Sequence, residues 1–192
     1  MTVTTKLWTL EEVVQKWGGD VPYEFIDGEL REVSPSVADS SRVAMIMGTE
    51  LTRFSDEHDL GEVFGADGGF VLSRHPLILV APDVAFVRTE NIPPNYDFRS
   101  FFPGAPDLAF EALSPTDRPG AVEEKIEKYL ANGTKLVWKA DPILRLVEVR
   151  RPDRRPETLY IGDVLYGEEI LPGFSLPVAR IFREPRRARA TT

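Results

Sequence analysis

The sequence predicts an α/β fold of the mixed α+β kind, with a central mixed β-sheet flanked by helices. Short apolar runs punctuated by glycine and proline alternate with stretches of helical periodicity. Two of the runs, residues 81–87 and 106–113, have the continuous apolar character of buried strands. Between the early runs, Val43, Ile46, Met47, Leu51 and Phe54 recur at the spacing of an amphipathic helix.

Residues 10–17 read as a first short helix, capped by Thr9, with Glu11 and Glu12 in its first turn and Gly18-Gly19 at its end. Residues 23–33 read as a β-hairpin, because two β-type runs flank Asp27-Gly28. A second helix is expected from Ser40 or Ser41 to about His58. Gly61 opens a strand, a turn at Gly68-Gly69 follows, and Phe70-Val71-Leu72 continues the sheet. Residues 89–105 read as a long loop, rich enough in aromatic residues to pack as a lid or a partner surface. A turn-rich connection over residues 114–120 leads into a helix from about Ala121 to Asn132, stopped by Gly133. Strands are expected over residues 135–139, 144–149 and 157–161, and residues 171–177 form a proline-punctuated extended segment.

The chain has 192 residues, of which 42% are hydrophobic and 28% charged, as expected for one globular domain with a real core. Residues 1–180 are expected to form that single domain and residues 181–192 a basic tail. Cysteine is absent, which excludes disulfides, thiolate metal sites and a cysteine nucleophile and agrees with a cytoplasmic setting. The first residues lack a signal-peptide pattern, and no window is apolar and long enough to span a membrane. The net charge of −8 argues against a dedicated nucleic-acid binder. Arginine is nevertheless clustered, at Arg150, Arg151, Arg154 and Arg155 and at Arg180, Arg183, Arg186, Arg187 and Arg189. These clusters read either as solvated turns and tail or as a phosphate-contacting rim.

Carboxylates inside apolar strands carry the chemistry. Asp83 opens one such strand and Glu111 lies within another, and a carboxylate there is costly unless paired, protonated or bound to a cation. Alternation puts Asp107, Ala109, Glu111 and Leu113 on one face and Leu108, Phe110 and Ala112 on the other. If the two strands adjoin, Asp83 and Glu111 converge on one hard divalent cation, Mg²⁺ or Mn²⁺. Such a site suits metal-assisted hydrolysis of a phosphodiester. The alternative is a turn cap at Asp83 and an ion pair at Glu111. In the later helix, Ile126, Tyr129 and Leu130 form the buried face, and Lys125 borders it. Lys125 reads as a charge stabiliser beside the phosphate or as a solvated helix lysine.

The residues Tyr23-Glu24, Asp27-Gly28-Glu29-Leu30, Pro82-Asp83-Val84, Asp107-Leu108, Glu111 through Asp117, Lys125, Tyr129, Gly133, Val137-Trp138 and Asp141-Pro142 resemble the Uma2 family of the PD-(D/E)XK nuclease superfamily. The resemblance runs from about residue 10 to residue 180. It implies a restriction-endonuclease-like core and a metal-dependent DNA endonuclease. By the family pattern Asp83 and Glu111 are the metal ligands, Glu24 is an acidic partner from the N-terminal region, and Lys125 replaces a catalytic lysine moved from strand to helix. Superfamily habit also implies a homodimer, since cutting both strands commonly uses two sites. The chain departs from the pattern at Leu113, two residues after Glu111, where the superfamily places its lysine. Lys139 is a second candidate for that missing cation, and Asp107 is expected to serve a turn at the strand start.

His58 and His75 lie far apart without a partner motif, Ser114 lacks a nearby base, and no phosphate-binding or nucleophile-elbow motif occurs. The expected function is therefore a Mg²⁺- or Mn²⁺-dependent DNA endonuclease acting through Asp83, Glu111, Lys125 and Glu24. The alternative is a nuclease-fold scaffold, catalytically weak or inactive, acting as a homodimeric interaction module.

Overall fold

The computed structural model describes residues 6–18, 21, 23–32 and 35–185. Its elements are, in order, α1 (Leu10–Trp17), β1 (Tyr23–Ile26), β2 (Glu29–Glu32), α2 (Ala38–His58), β3 (Gly61–Gly65), β4 (Phe70–Arg74), β5 (Leu77–Val80), β6 (Val84–Arg88), β7 (Phe102–Pro103), β8 (Leu108–Ala112), α3 (Pro119–Ala131), β9 (Leu136–Asp141), β10 (Leu146–Arg150), β11 (Glu157–Leu159), β12 (Val164–Tyr166), β13 (Ser175–Pro177) and α4 (Val178–Ile181).

The expected mixed sheet is present and has six strands in the order β11-β10-β9-β8-β6-β3. Its parallel pair is β8 and β9, joined by the crossover helix α3, and its other pairs are antiparallel. The single sheet expected for the whole chain is, however, two sheets with an added hairpin. The N-terminal strands form a separate five-stranded sheet, β2-β1-β5-β4-β7, and β12 pairs with β13. The difference comes from β5, whose four residues are all buried. It pairs with both β1 and β4 and so draws the hairpin into a sheet of its own.

Local sequence dictates several boundaries. Thr9 closes a capping box with Glu12 at the start of α1. Asp27 and Gly28 both hold positive φ, 53° and 82°, as a two-residue hairpin turn requires. The second helix starts at Ala38 rather than at Ser40 or Ser41. Ser40 is buried in its first turn and donates its hydroxyl to the Leu113 carbonyl at 2.6 Å, so the side chain serves tertiary structure instead of a cap. Pro119 begins α3 two residues before Ala121, because proline at the first helical position forfeits no bond.

Both faces of the six-stranded sheet are covered. On one, Val43, Met47 and Leu51 of α2 pack against Phe86, Phe110 and Trp138. On the other, Ile126 and Tyr129 of α3 meet Ala109 and Val137, together with Ile26, Ile78 and Val80 of the N-terminal sheet. The alternation expected for residues 107–113 is thus observed. Trp138 is fully buried and stacked on Phe174, while Trp8 and Trp17 gather with Phe25 and Tyr23 beside the N-terminal sheet. The aromatic loop over residues 89–105 packs on its own chain: Tyr96 and Phe102 join Phe64 and Phe70, and Phe98 stays 60% exposed.

Candidate active site

The pairing of β6 with β8 sets Val84 opposite Phe110, which brings Asp83, the residue before β6, to the level of Glu111. Asp83 Oδ2 accepts the Ala112 backbone N–H at 2.7 Å. Glu111 points to the α3 face and is 9% exposed. Its Oε1 accepts the Tyr129 hydroxyl at 2.8 Å and lies 2.8 Å from Lys125 Nζ. Lys125 also reaches Glu24 Oε1 at 2.7 Å and the Ala81 carbonyl at 3.1 Å. Three acceptors therefore meet the three protons of the ammonium. Glu24, on β1, accepts the Ala81 N–H at 2.9 Å with the same oxygen. The site is thus assembled from β1, the loop before β6, β8 and α3.

Burial sets the electrostatics. It pushes the Glu111 carboxyl from its ordinary 4.5 up to about 7, against the pull of the neighbouring ammonium. Burial also raises Asp83, opposed by the Ala112 N–H and by Lys125. Lys125 moves the other way from what burial alone would impose, because Glu111 and Glu24 hold its proton more firmly. Tyr129 is raised by burial and by Glu111, so its hydroxyl is a donor at every working pH.

With all three carboxylates ionised, three negative charges face one positive charge. Among the described residues, no group of three or more His, Cys, Asp or Glu side chains is arranged to hold a metal ion. The ammonium of Lys125 lies between Glu24 and Glu111. Two oxygens, Asp83 Oδ1 and Glu111 Oε2, receive no hydrogen bond among the described residues. A Mg²⁺-type cation taking one or two carboxylates and keeping its waters fits that donor set, and the uncompensated charge favours it.

The structure brings Asp83, Glu111, Lys125 and Glu24 together, and it adds Tyr129 and the Ala81 backbone. Tyr129 was legible as a core residue and as part of the family pattern, with no role in the site. Its place four residues after Lys125 on one helix face was the signal for a second role. Other candidates are engaged elsewhere. Lys139 stands beside Glu111 in register, but its ammonium binds Glu123 and Glu148. Asp107 accepts from the Arg88 N–H and from Asn91, which ties down the segment after β6. Arg150 pairs with Glu123 and Glu148, Arg151 with Glu157 and Glu168, and Arg180 with Glu50. Arg154 and Arg155 are exposed, whereas Arg186, Arg187 and Arg189 lie outside the described residues. His58 stacks on Phe54, and Ser114 forms a local turn with Thr116 and Asp117.

A family model described as "Uma2: Putative restriction endonuclease" matches residues 10–179. The crystal structure of "a putative nuclease belonging to DUF820 from Anabaena variabilis ATCC 29413" is similar in fold, with a TM-score of 0.76. The likeness covers 91% of this chain and 97% of that one at 19% identity. No curated protein matches the chain.

Proposed function

Because the chain belongs to the Uma2 family, we propose that it is a nuclease that hydrolyses DNA phosphodiesters with a divalent cation held by Asp83 and Glu111. The observation that carries this reading is a buried ammonium on a buried glutamate, with the carboxylate of Asp83, just before β6, alongside. A bound Mg²⁺ or Mn²⁺ would supply Lewis acidity toward the phosphate and acidify its water. The chain's own residues would do the rest. Asp83 Oδ1 and Glu111 Oε2 would be the ligands. Tyr129 holds the other oxygen of Glu111 and so limits the motion of that carboxylate. Lys125 brings a fixed positive charge to within 2.8 Å of Glu111, in place of the lysine that Leu113 displaces from the strand. There it would stabilise charge developing on the phosphate oxygens. Glu24 and the Ala81 carbonyl keep the ammonium in position.

The test is cleavage of supercoiled plasmid and of single-stranded DNA with Mg²⁺ or Mn²⁺, wild type beside Glu111→Gln. The variant is expected to lose cleavage while keeping its fold by circular dichroism. Retained cleavage in the variant would sink the assignment. Absence of cleavage in both proteins, with no Mn²⁺ binding by calorimetry, would instead favour a scaffold in which Lys125 only neutralises buried carboxylates.

A further inference from the structure

The turn between β9 and β10, residues 142–145, stands at the same end of the six-stranded sheet as the candidate site. Strand β6 runs antiparallel to β8, and β8 runs parallel to β9. Asp83 before β6, Leu113 after β8 and the end of β9 therefore lie along one edge. Ile143 lines a cavity of about 150 Å³ on the α3 side, with Leu113, Glu123 and Lys139. Lys139 is in register with Glu111. Two strand spacings separate β9 from β6, roughly 10 Å, the axial length of about three base pairs.

Asp141 and Pro142 supply what this turn needs. Asp141 Oδ1 accepts the Ile143 and Leu144 N–H groups at 2.9 and 2.8 Å, the local bonding that makes aspartate a turn residue. Arg145 takes φ 54° and donates to the Phe182 carbonyl at 3.0 Å. The backbone is thus tied on both sides. Turn tips ordinarily carry small or polar residues, yet Ile143 is 70% exposed and Leu144 65%. Neither side chain serves the turn, and neither belongs to the core. A fixed tip presents both aliphatic groups to solvent with little conformational entropy left to lose on binding.

Charge identifies the partner. The other flank of the tip is a groove of about 450 Å³, where Arg42, Arg145 and Arg183 face Asp39 and Glu184. That groove is net positive on a chain whose net charge is −8. The pairs Arg42–Asp39 and Arg145–Glu184 are partly exposed, so they yield readily to a phosphate. Stacked bases flanked by phosphates match an aliphatic tip beside guanidinium groups, whereas an apolar protein surface does not. We propose that Ile143 and Leu144 form a wedge that enters the base stack of a DNA duplex about three base pairs from the phosphodiester being cut. This rests on the nuclease reading of Asp83 and Glu111. Apolar side chains part a base step at least cost where the step is flexible or mispaired, so the preferred substrate is duplex DNA that is bent or mismatched at that position.

The experiment is energy transfer between dyes at the two ends of a short DNA duplex, fully matched or carrying a mismatch, at low salt with Ca²⁺ present. Wild type is expected to bend both duplexes, by between about 20° and 90°, and to bind the mismatched one more tightly. The double variant Ile143→Ser, Leu144→Ser should melt as wild type and lose the bend. It should bind the mismatched duplex roughly tenfold more weakly, the scale of one partly buried aliphatic side chain. The double variant Ile143→Val, Leu144→Met should keep the bend. A wild type that neither binds nor bends the duplex, or a serine variant that bends it as wild type does, overturns the inference even if cleavage that depends on Glu111 is found. Self-association of wild type that the serine variant loses, with no bend in either protein, assigns the tip to a protein contact and overturns it as well. A bend lost only in the serine variant upholds the wedge even if the wild type cleaves nothing, in which case the nuclease reading alone fails.

Discussion

Lys125 concentrates the energetics of the site in one side chain. It is mostly buried between two carboxylates, so removing its charge strands both. Lys125→Met is expected to destabilise the protein by about 3–5 kcal/mol, the usual cost of breaking a buried ion pair, as measured by urea unfolding. Glu111 gives a pH signature. Its carboxyl titrates near 7 in the folded protein and near 4.5 when unfolded, so between those values the folded state holds the extra proton. Stability then falls as pH rises from 4.5 to about 7 and is flat above. Thermal melts over that range should show the decline in wild type and a flatter profile in Glu111→Gln. A third prediction concerns Thr134, whose buried hydroxyl oxygen has no hydrogen-bond partner among the described residues. Thr134→Val should be neutral or stabilising by up to about 1–2 kcal/mol, because it removes an unsatisfied polar group without changing shape. Sequence alone singled out Asp83 and Glu111 because charge in apolar context is conspicuous, whereas Lys125 stood out by bordering a buried helix face and by the family pattern. Tyr129 was hidden because an aromatic residue on a buried helix face has sufficient reason to be there.

At the scale of elements, legibility followed local chemistry. The Thr9 cap and the Asp27-Gly28 turn are written in adjacent residues, and both formed as read, the cap with Glu12 completing a capping box. Thr9→Ala should therefore cost about 1 kcal/mol of stability, seen as a lowered unfolding midpoint. The strand β5 was not legible: a four-residue apolar run has no alternation to distinguish it from core of any kind. Its absence from the sequence reading also concealed the second sheet. The start of α2 was misplaced for a related reason. Ser40 or Ser41 was read as the first residue of the helix, and only tertiary structure supplies the Leu113 carbonyl that Ser40 binds.

For the whole molecule, the site lies where the N-terminal sheet, the six-stranded sheet and α3 come together. Glu24, Ala81, Glu111 and Lys125 are distant in sequence, so local pattern could not reveal that Glu24 holds the lysine. Charge belongs to this scale as well. The net charge is −8, and Arg150, Arg151 and Arg180 are each paired with carboxylates. Among the described residues, few arginines of these clusters are then left for phosphate contacts. The logarithm of single-strand affinity should fall with the logarithm of salt concentration with a slope no steeper than about −2, at roughly −0.7 for each phosphate neutralised. A slope near −5 in an anisotropy titration would contradict it.

The placement of the three tryptophans gives the protein an optical division of labour. Trp138 is wholly enclosed, with even its indole nitrogen unpartnered among the described residues, so its emission belongs at the blue end of the indole range. Trp8 and Trp17 are partly open to water beneath the side chains of Lys6 and Lys16, and they emit further to the red. The two colours therefore report the two sheets separately. Light collected during denaturation would reveal whether the halves of this molecule come apart together or one after the other, and Trp138→Phe would assign each colour to its half.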